Sequence, residues 1–111
     1  MALYERLLGR DSLGQSVEGK IPVHAFQAIM AEVARGKLTG AQASAAAAAA
    51  AGVPLTAGEQ AEATTLVGTI TGSATAKLAR AKEIDDVLLL AENGAAVGYQ
   101  SPSQVKTRLG V

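Results

Sequence analysis

The sequence predicts an all-α fold, a small bundle of about four main helices with short terminal helices. Seven consecutive alanines, Ala45 to Ala51, form the first observation, because alanine has the highest helix propensity of all residues. The second is that apolar residues elsewhere recur at three- and four-residue steps, the period of an amphipathic helix. The third is that Ser or Thr precedes several of these segments and Gly follows them, as at helix caps. No segment shows the strict alternation of a strand.

The first main helix is predicted to start at Ile21-Pro22 and to end at Gly36. Proline suits an early helical position, since its missing N–H would have no helical partner there. The helix has one apolar face, which consists of Val23, Phe26, Ile29, Met30 and Val33.

The alanine tract is predicted to be the second main helix, with Thr39 as N-cap and Gly52 as C-cap. Pro54 prevents its continuation. Alanine offers no donor, acceptor or charge, so this helix indicates close packing between backbones and no chemistry of its own.

Two further helices follow. Thr56 and Glu59 have the spacing of a capping box, and the apolar residues behind them are Ala63, Leu66, Val67 and Ile70. Ser73 is predicted to cap the longest helix, Ala74 to Glu92. One seam of this helix is formed by Leu78, Ala81, Ile84, Asp85, Leu88 and Ala91, of which only Asp85 is polar. After a predicted loop at 94–100, Ser101-Pro102 opens a short final helix.

The chain is divided into an N-terminal arm, residues 1–20, and a helical bundle domain, residues 21–111. The arm has a short apolar cluster followed by glycines and polar residues. One interpretation is a frayed terminus, and the other is an extended arm that docks onto a neighbouring subunit. The long helix has apolar residues on more than one side, which is typical of a helix buried on two sides. The predicted partner interface therefore consists of Leu3, Tyr4, Leu7, Leu8, Val87, Leu89, Leu90, Val105 and Leu109.

Composition supports the expectation of an assembly. A chain of 111 residues is one domain, and its hydrophobic fraction of 49% contains much alanine, with only 3% aromatic residues. A small domain with few large apolar side chains is marginal alone, and partner subunits are one remedy. We therefore expect a homo-oligomer or a component of a larger assembly.

The sequence contains no catalytic or metal-binding pattern, and we expect no enzyme activity and no cofactor. There is no cysteine and only one histidine, His24, which is interpreted as a structural or partly exposed side chain. The densest acidic group, Glu83, Asp85 and Asp86, follows Lys82 at helical contact spacing and is interpreted as a solvated, self-paired face. The glycines at 68 and 72 lack the lysine and the strand of a phosphate-binding loop.

The charge balance argues against a nucleic-acid partner, and the length of the apolar runs argues against a membrane partner. Ten basic and ten acidic residues give a net charge of zero, whereas nucleic-acid binders normally carry excess Lys and Arg. Residues 39–71 could form a helix-turn-helix, but the second helix has no Lys, Arg or Asn to read base edges. No apolar run reaches the roughly 20 residues that span a bilayer, and the N-terminus is unlike a secretory signal.

Three stretches give the chain a family resemblance: Gly19 to Phe26, Ala34 to Gln42, and Val105 to Val111. In these stretches it resembles small helical structural proteins of tailed-bacteriophage virions. The resemblance covers about a quarter of the chain and transfers no binding residue. It implies a non-enzymatic role in capsid decoration, head–tail joining or tail and fibre attachment, in the virion, with other virion proteins as partners. The alternatives are a small helix-turn-helix DNA-binding regulator and a non-viral helical adaptor.

Overall fold

The computed structural model describes residues 3–94 and 100–111, and these residues form six α-helices and no β-strand. The helices are α1 (Leu3–Leu8), α2 (Val23–Ala34), α3 (Gly40–Ala51), α4 (Ala57–Val67), α5 (Ala74–Glu92) and α6 (Pro102–Leu109). An isolated bridge joins Arg10 and Ser16. The prediction of a small all-α bundle is confirmed, whereas most of the loop predicted at 94–100 lies outside the described residues.

Local capping interactions determine where most helices begin. The side chains of Thr39, Thr56, Ser73 and Ser101 each accept a hydrogen bond from the backbone N–H three residues later. Thr56 and Glu59 form the predicted capping box. The start of α2 differs slightly from the prediction, because Pro22 has an extended conformation and is the N-cap, one position before the helix.

The large helices α2 and α5 pack against each other, and α3 packs on both α2 and α4. The predicted face of α2 is buried throughout. On α5 the prediction is partly wrong: Ala81, Ile84, Leu88 and Ala91 are buried, but Leu78 is 51% exposed. The centre of the buried face is shifted around the helix towards Val87, which is in the core.

The N-terminal residues are part of the same core, which corrects the prediction of a separate arm. Helix α1 packs against α4, α5 and α6, and four of its apolar side chains are buried: Leu3, Tyr4, Leu7 and Leu8. Lys20 connects the segment after α1 to α1 and to α5. Its Nζ donates to the carbonyl oxygens of Leu7 and Ile21 and forms an ion pair with Glu92 at 2.6 Å. The four side chains of α1 therefore add to a core that already contains large residues of the bundle, such as Phe26.

Helices α3 and α4 approach each other through small side chains. A Cβ added at Gly40 would lie 3.2 Å from Cγ2 of Thr64. One helical turn further along α3, the Ser44 hydroxyl lies 3.4 Å from both the Gln60 carbonyl oxygen and the Thr64 hydroxyl. The prediction that the alanine helix packs closely is thereby confirmed for the face that contains Ala43, Ser44 and Ala47, all of them buried.

Candidate functional site at the junction of three helices

Most of the predicted partner interface is buried inside this chain and is unavailable to a partner. Seven of the nine residues belong to the core: Leu3, Tyr4, Leu7, Leu8, Val87, Val105 and Leu109. Leu89 is half-buried against the core, and Leu90 is 43% exposed. The sequence shows that these residues are apolar, but it does not show that α1 and α6 pack against α5 within the same chain.

The exposed large apolar residues lie elsewhere. Besides Leu90 they are Leu13, Val53 and Leu78. Leu13 is the most exposed, at 83%, and it lies in a turn where Asp11 Oδ1 accepts hydrogen bonds from the backbone of Leu13 and Gln15, both at 2.9 Å. The turn therefore holds an apolar side chain away from the core.

A second feature of the surface is the outer face of α3. Ala41, Gln42, Ala45 and Ala49 are exposed on it, and α3 contains no charged residue. Exposed helix faces normally carry charged and polar side chains. Another helix could therefore approach this face without clash and without leaving a charge buried.

Helix α1 also brings polar groups into the interior where it meets α4. Arg6 and Glu59 form an ion pair at 3.2 Å, and their side chains are only 4% and 2% exposed. Arg6 also donates from Nε to the Gly19 carbonyl oxygen at 2.9 Å. Glu59 Oε1 additionally accepts from the backbone N–H of Thr56 at 2.9 Å. The capping-box glutamate thus links the start of α4 to the N-terminal helix.

A separate cavity lies where α1, α4 and α6 meet. It has a volume of about 190 Å³ and is lined by Tyr4, Ala61, Glu62, Thr65, Lys106 and Val111. Burial, followed by the negative charge of Glu62, raises the pKa of Tyr4 well above its ordinary value, and Arg80 opposes this shift. The phenol therefore stays protonated and can both donate and accept a hydrogen bond.

The acidic group on α5 is arranged largely as expected. Lys82 pairs with Asp86 at 2.8 Å, one helical turn apart, and Arg80 pairs with Glu83. Asp85 differs, because its Oδ1 is buried and has no hydrogen-bond partner among the described residues. Partial burial, followed by the charge of Asp86, raises the pKa of Asp85 to about 6, and Lys82 opposes this shift.

Other classes of site have no support in the part of the chain that is described. His24 is exposed, and no group of three His, Asp or Glu residues within 3–94 and 100–111 could hold a metal ion. Within the same ranges no helix is long and apolar enough to cross a membrane. Helices α3 and α4, the candidate helix-turn-helix, contain no Lys or Arg.

Neither the buried ion pair nor the cavity was predicted from the sequence. Glu59 was recognised only as a capping residue, and Arg6, Glu62 and Lys106 gave no signal. A charged residue within the apolar cluster of α1 was the one available indication, since a buried charge needs a partner. Its partner lies 53 positions away, and no local pattern links the two.

Comparison with known proteins gave no match: no family, no curated protein and no solved structure matches this chain.

Proposed function

We propose that this protein is a non-enzymatic structural component of a tailed-phage virion that acts through protein–protein contacts. The proposal has two parts. The virion role rests on the sequence resemblance in residues 19–26, 34–42 and 105–111. The assembly role rests on the surface of the domain.

The observation that carries the assembly role is the uncharged outer face of α3. Ala41, Ala45 and Ala49 recur at four-residue steps on it and are exposed. Small residues at this spacing let a second helix approach to the short end of the 8–10 Å range of helix packing distances. A second copy of this chain or another virion protein would cover this face, and no charge would need to be desolvated.

The three stretches of the resemblance have structural roles in this chain. Gly19 and Lys20 bond to α1, the α2–α3 connection holds the Thr39 capping box, and Val105 and Leu109 are in the core. A shared fold, with contact surfaces that differ between relatives, would account for a resemblance limited to such positions.

The test is whether the protein is present in intact particles. Particles purified by density gradient should contain the chain in a fixed, symmetric copy number, measured by quantitative mass spectrometry and located by electron cryo-microscopy. Its absence from washed particles would exclude the virion role.

A charge on the α3 face tests the assembly role. Ala45→Glu places a carboxylate on the outer face of α3, and Ala76→Glu adds the same charge at an exposed position on α5. We expect Ala45→Glu to lose incorporation into particles while Ala76→Glu keeps it, with both variants folded. Equal incorporation of the two variants would contradict the use of the α3 face.

A further inference from the structure

Helix α5 has an exposed face that carries two of the four exposed large apolar residues among those described. Leu78 is 51% exposed and Leu90 is 43% exposed. Lys82 and Asp86 lie between them, with side chains that are 76% and 54% exposed. The four residues follow one another at four-residue steps, which places them in a single row along the helix. This row is called the α5 outer row below.

The charges of α5 are ordered in a way that does not stabilise the helix itself. The basic residues of α5 all precede the acidic ones, in the order Lys77, Arg80, Lys82 and then Glu83, Asp85, Asp86, Glu92. The helix dipole favours the opposite order, and α5 has no acidic residue in its first turn and no basic residue in its last. Within the Lys82–Asp86 pair the cation also comes first, which is the weaker orientation at this spacing. The stability of α5 alone therefore does not account for this charge order.

The α5 outer row is complementary to itself in the antiparallel direction. If two copies of the row lie side by side in opposite directions, Leu78 of one copy is beside Leu90 of the other, and Lys82 is beside Asp86. Rows at four-residue steps align in this way when two helices cross at about 50°, the commonest class of helix packing. In a parallel pair each Lys82 would instead meet the Lys82 of the other copy, and like charges that face each other are repelled.

We propose that the α5 outer row is the interface of a homodimer in which the two α5 helices pack antiparallel. Lys82 then contacts Asp86 of its own chain and Asp86 of the second copy, so that four charges form one alternating cluster. Leu78 and Leu90 pack together at both ends of this cluster and are removed from water. The charges determine the choice of partner and the orientation, and the leucines provide the hydrophobic contribution.

The dimer is separate from the proposed virion role. The α5 outer row shares no residue with the outer face of α3, and α3 packs on α2 and α4. Two chains paired through α5 would therefore still present their α3 faces to other subunits. One pair of helices buries less area than a standard interface of about 1,600 Å², so we expect the dimer to be weak and dependent on protein concentration.

The experiment is sedimentation equilibrium of the purified protein between about 10 µM and 1 mM, the range of weak dissociation constants. The average mass should rise from the 11.2 kDa of the monomer towards twice that value. Asp86→Lys and Lys82→Asp each place like charges opposite each other, and each should weaken the dimer about tenfold or more. An equimolar mixture of these two variants should form a heterodimer, because the two cations of one chain face the two carboxylates of the other.

The control is Glu32→Lys, which reverses a charge of an exposed ion pair on α2 and should dimerise like the parent protein. Circular dichroism checks that each variant is folded. The proposal is overturned if the parent is monomeric up to about 1 mM, if Glu32→Lys weakens the dimer as much as Asp86→Lys does, or if the mixed charge variants remain monomeric.

Introduced thiols test the orientation, since the chain contains no cysteine. When Leu78→Cys and Leu90→Cys chains are mixed and oxidised with diamide, we expect disulfides between the two variants. Identical positions are twelve residues, about 18 Å, apart along an antiparallel pair, whereas the Cα atoms of a disulfide lie within about 7 Å. Each variant alone should therefore form few crosslinks, and efficient crosslinking of either one with itself would contradict the antiparallel arrangement.

Discussion

Helix α4 contacts two regions of the molecule that are built in opposite ways. On one side α3 packs against it through Gly40, Ser44 and Thr64, with hydroxyl groups and almost no large side chain. On the other side α1 brings Tyr4, Leu7 and the charged Arg6 into the interior. The first contact is stabilised by a short distance between backbones and the second by large buried side chains and one ion pair.

The difference shows where each region tolerates change. At the small-residue contact, additional volume is destabilising because there is no space for it. At the α1 contact, removal of a group is destabilising because its buried partner is left without compensation. Substitutions on the α3 side of α4 should therefore be destabilising when they add volume, and those on the α1 side when they remove a group.

The largest expected effect comes from breaking the buried ion pair. Arg6→Met leaves Glu59 charged and buried, and Glu59→Gln leaves Arg6 in the same state, so each should lower the free energy of unfolding by about 3–5 kcal/mol. Urea denaturation followed by circular dichroism measures this. The exposed pair Arg35–Glu32 on α2 is the control, and Arg35→Met should lose less than about 1 kcal/mol.

A double variant shows whether the loss comes from the unpaired charge. Arg6→Met combined with Glu59→Gln removes both charges, so it should be less destabilised than the sum of the single variants. Simple additivity of the two losses would mean that the ion pair contributes nothing as a pair.

The next largest effect tests the small-residue region. Ala47 is fully buried on α3, whereas Ala45 is exposed on the opposite face. Ala47→Leu should lower the free energy of unfolding by about 1–3 kcal/mol through overpacking. Ala45→Leu changes the same side chain in the same helix and should be nearly neutral for the isolated domain. If thermal melting gave the same midpoint for both variants, the inference that the buried face of α3 is closely packed would be wrong.

Particular residues show how much of this structure could be predicted from the sequence. Thr39, Thr56, Ser73 and Ser101 each act within three residues of the chain, so the starts of these four helices and the all-α class were predicted correctly. The position of α1 was not, because its six residues form too short a pattern to show what they pack against. The same is true of the cavity between α1, α4 and α6, since Tyr4, Glu62 and Lys106 come from three helices that only the folded chain brings together.

A smaller effect is expected from removing the N-cap side chain of α3 or of α4. Thr39→Ala removes the cap of α3, and Thr56→Ala removes the cap of α4, whose partner Glu59 is also bonded to Arg6. Loss of an N-cap side chain typically costs about 1 kcal/mol. We expect Thr56→Ala to lose more than Thr39→Ala, because it also loosens the carboxylate that holds Arg6. Chemical denaturation of the two variants in parallel tests this, and equal losses would mean that the cap and the ion pair act independently.

The smallest effect concerns Asp85, whose carboxyl group is only partly buried, unlike Arg6 and Glu59, and whose buried Oδ1 has no hydrogen-bond partner within 3–94 and 100–111. Its pKa is raised from 3.8 to about 6 in the folded protein, so the folded state binds the proton more tightly than the unfolded state does. The contribution of this group to stability is therefore most favourable below about pH 4 and is lost as the pH rises through about 6. A shift of this size corresponds to about 3 kcal/mol at most, and solvent screening of the half-exposed side chain reduces it to roughly 0.5–1 kcal/mol.

Asp85→Asn should therefore match the parent protein in stability near pH 4 and exceed it at pH 7. Lys82→Met removes the cation that lowers the pKa of Asp85 and should enlarge the pH dependence of the parent, whereas Asp86→Asn removes a raising charge and should reduce it. Unfolding curves between pH 4 and 7, with carboxyl NMR titration of Asp85, measure both effects. An Asp85→Asn variant with the same stability difference at both ends of this range would show that the carboxylate is solvated, in contrast to the buried charges of Arg6 and Glu59.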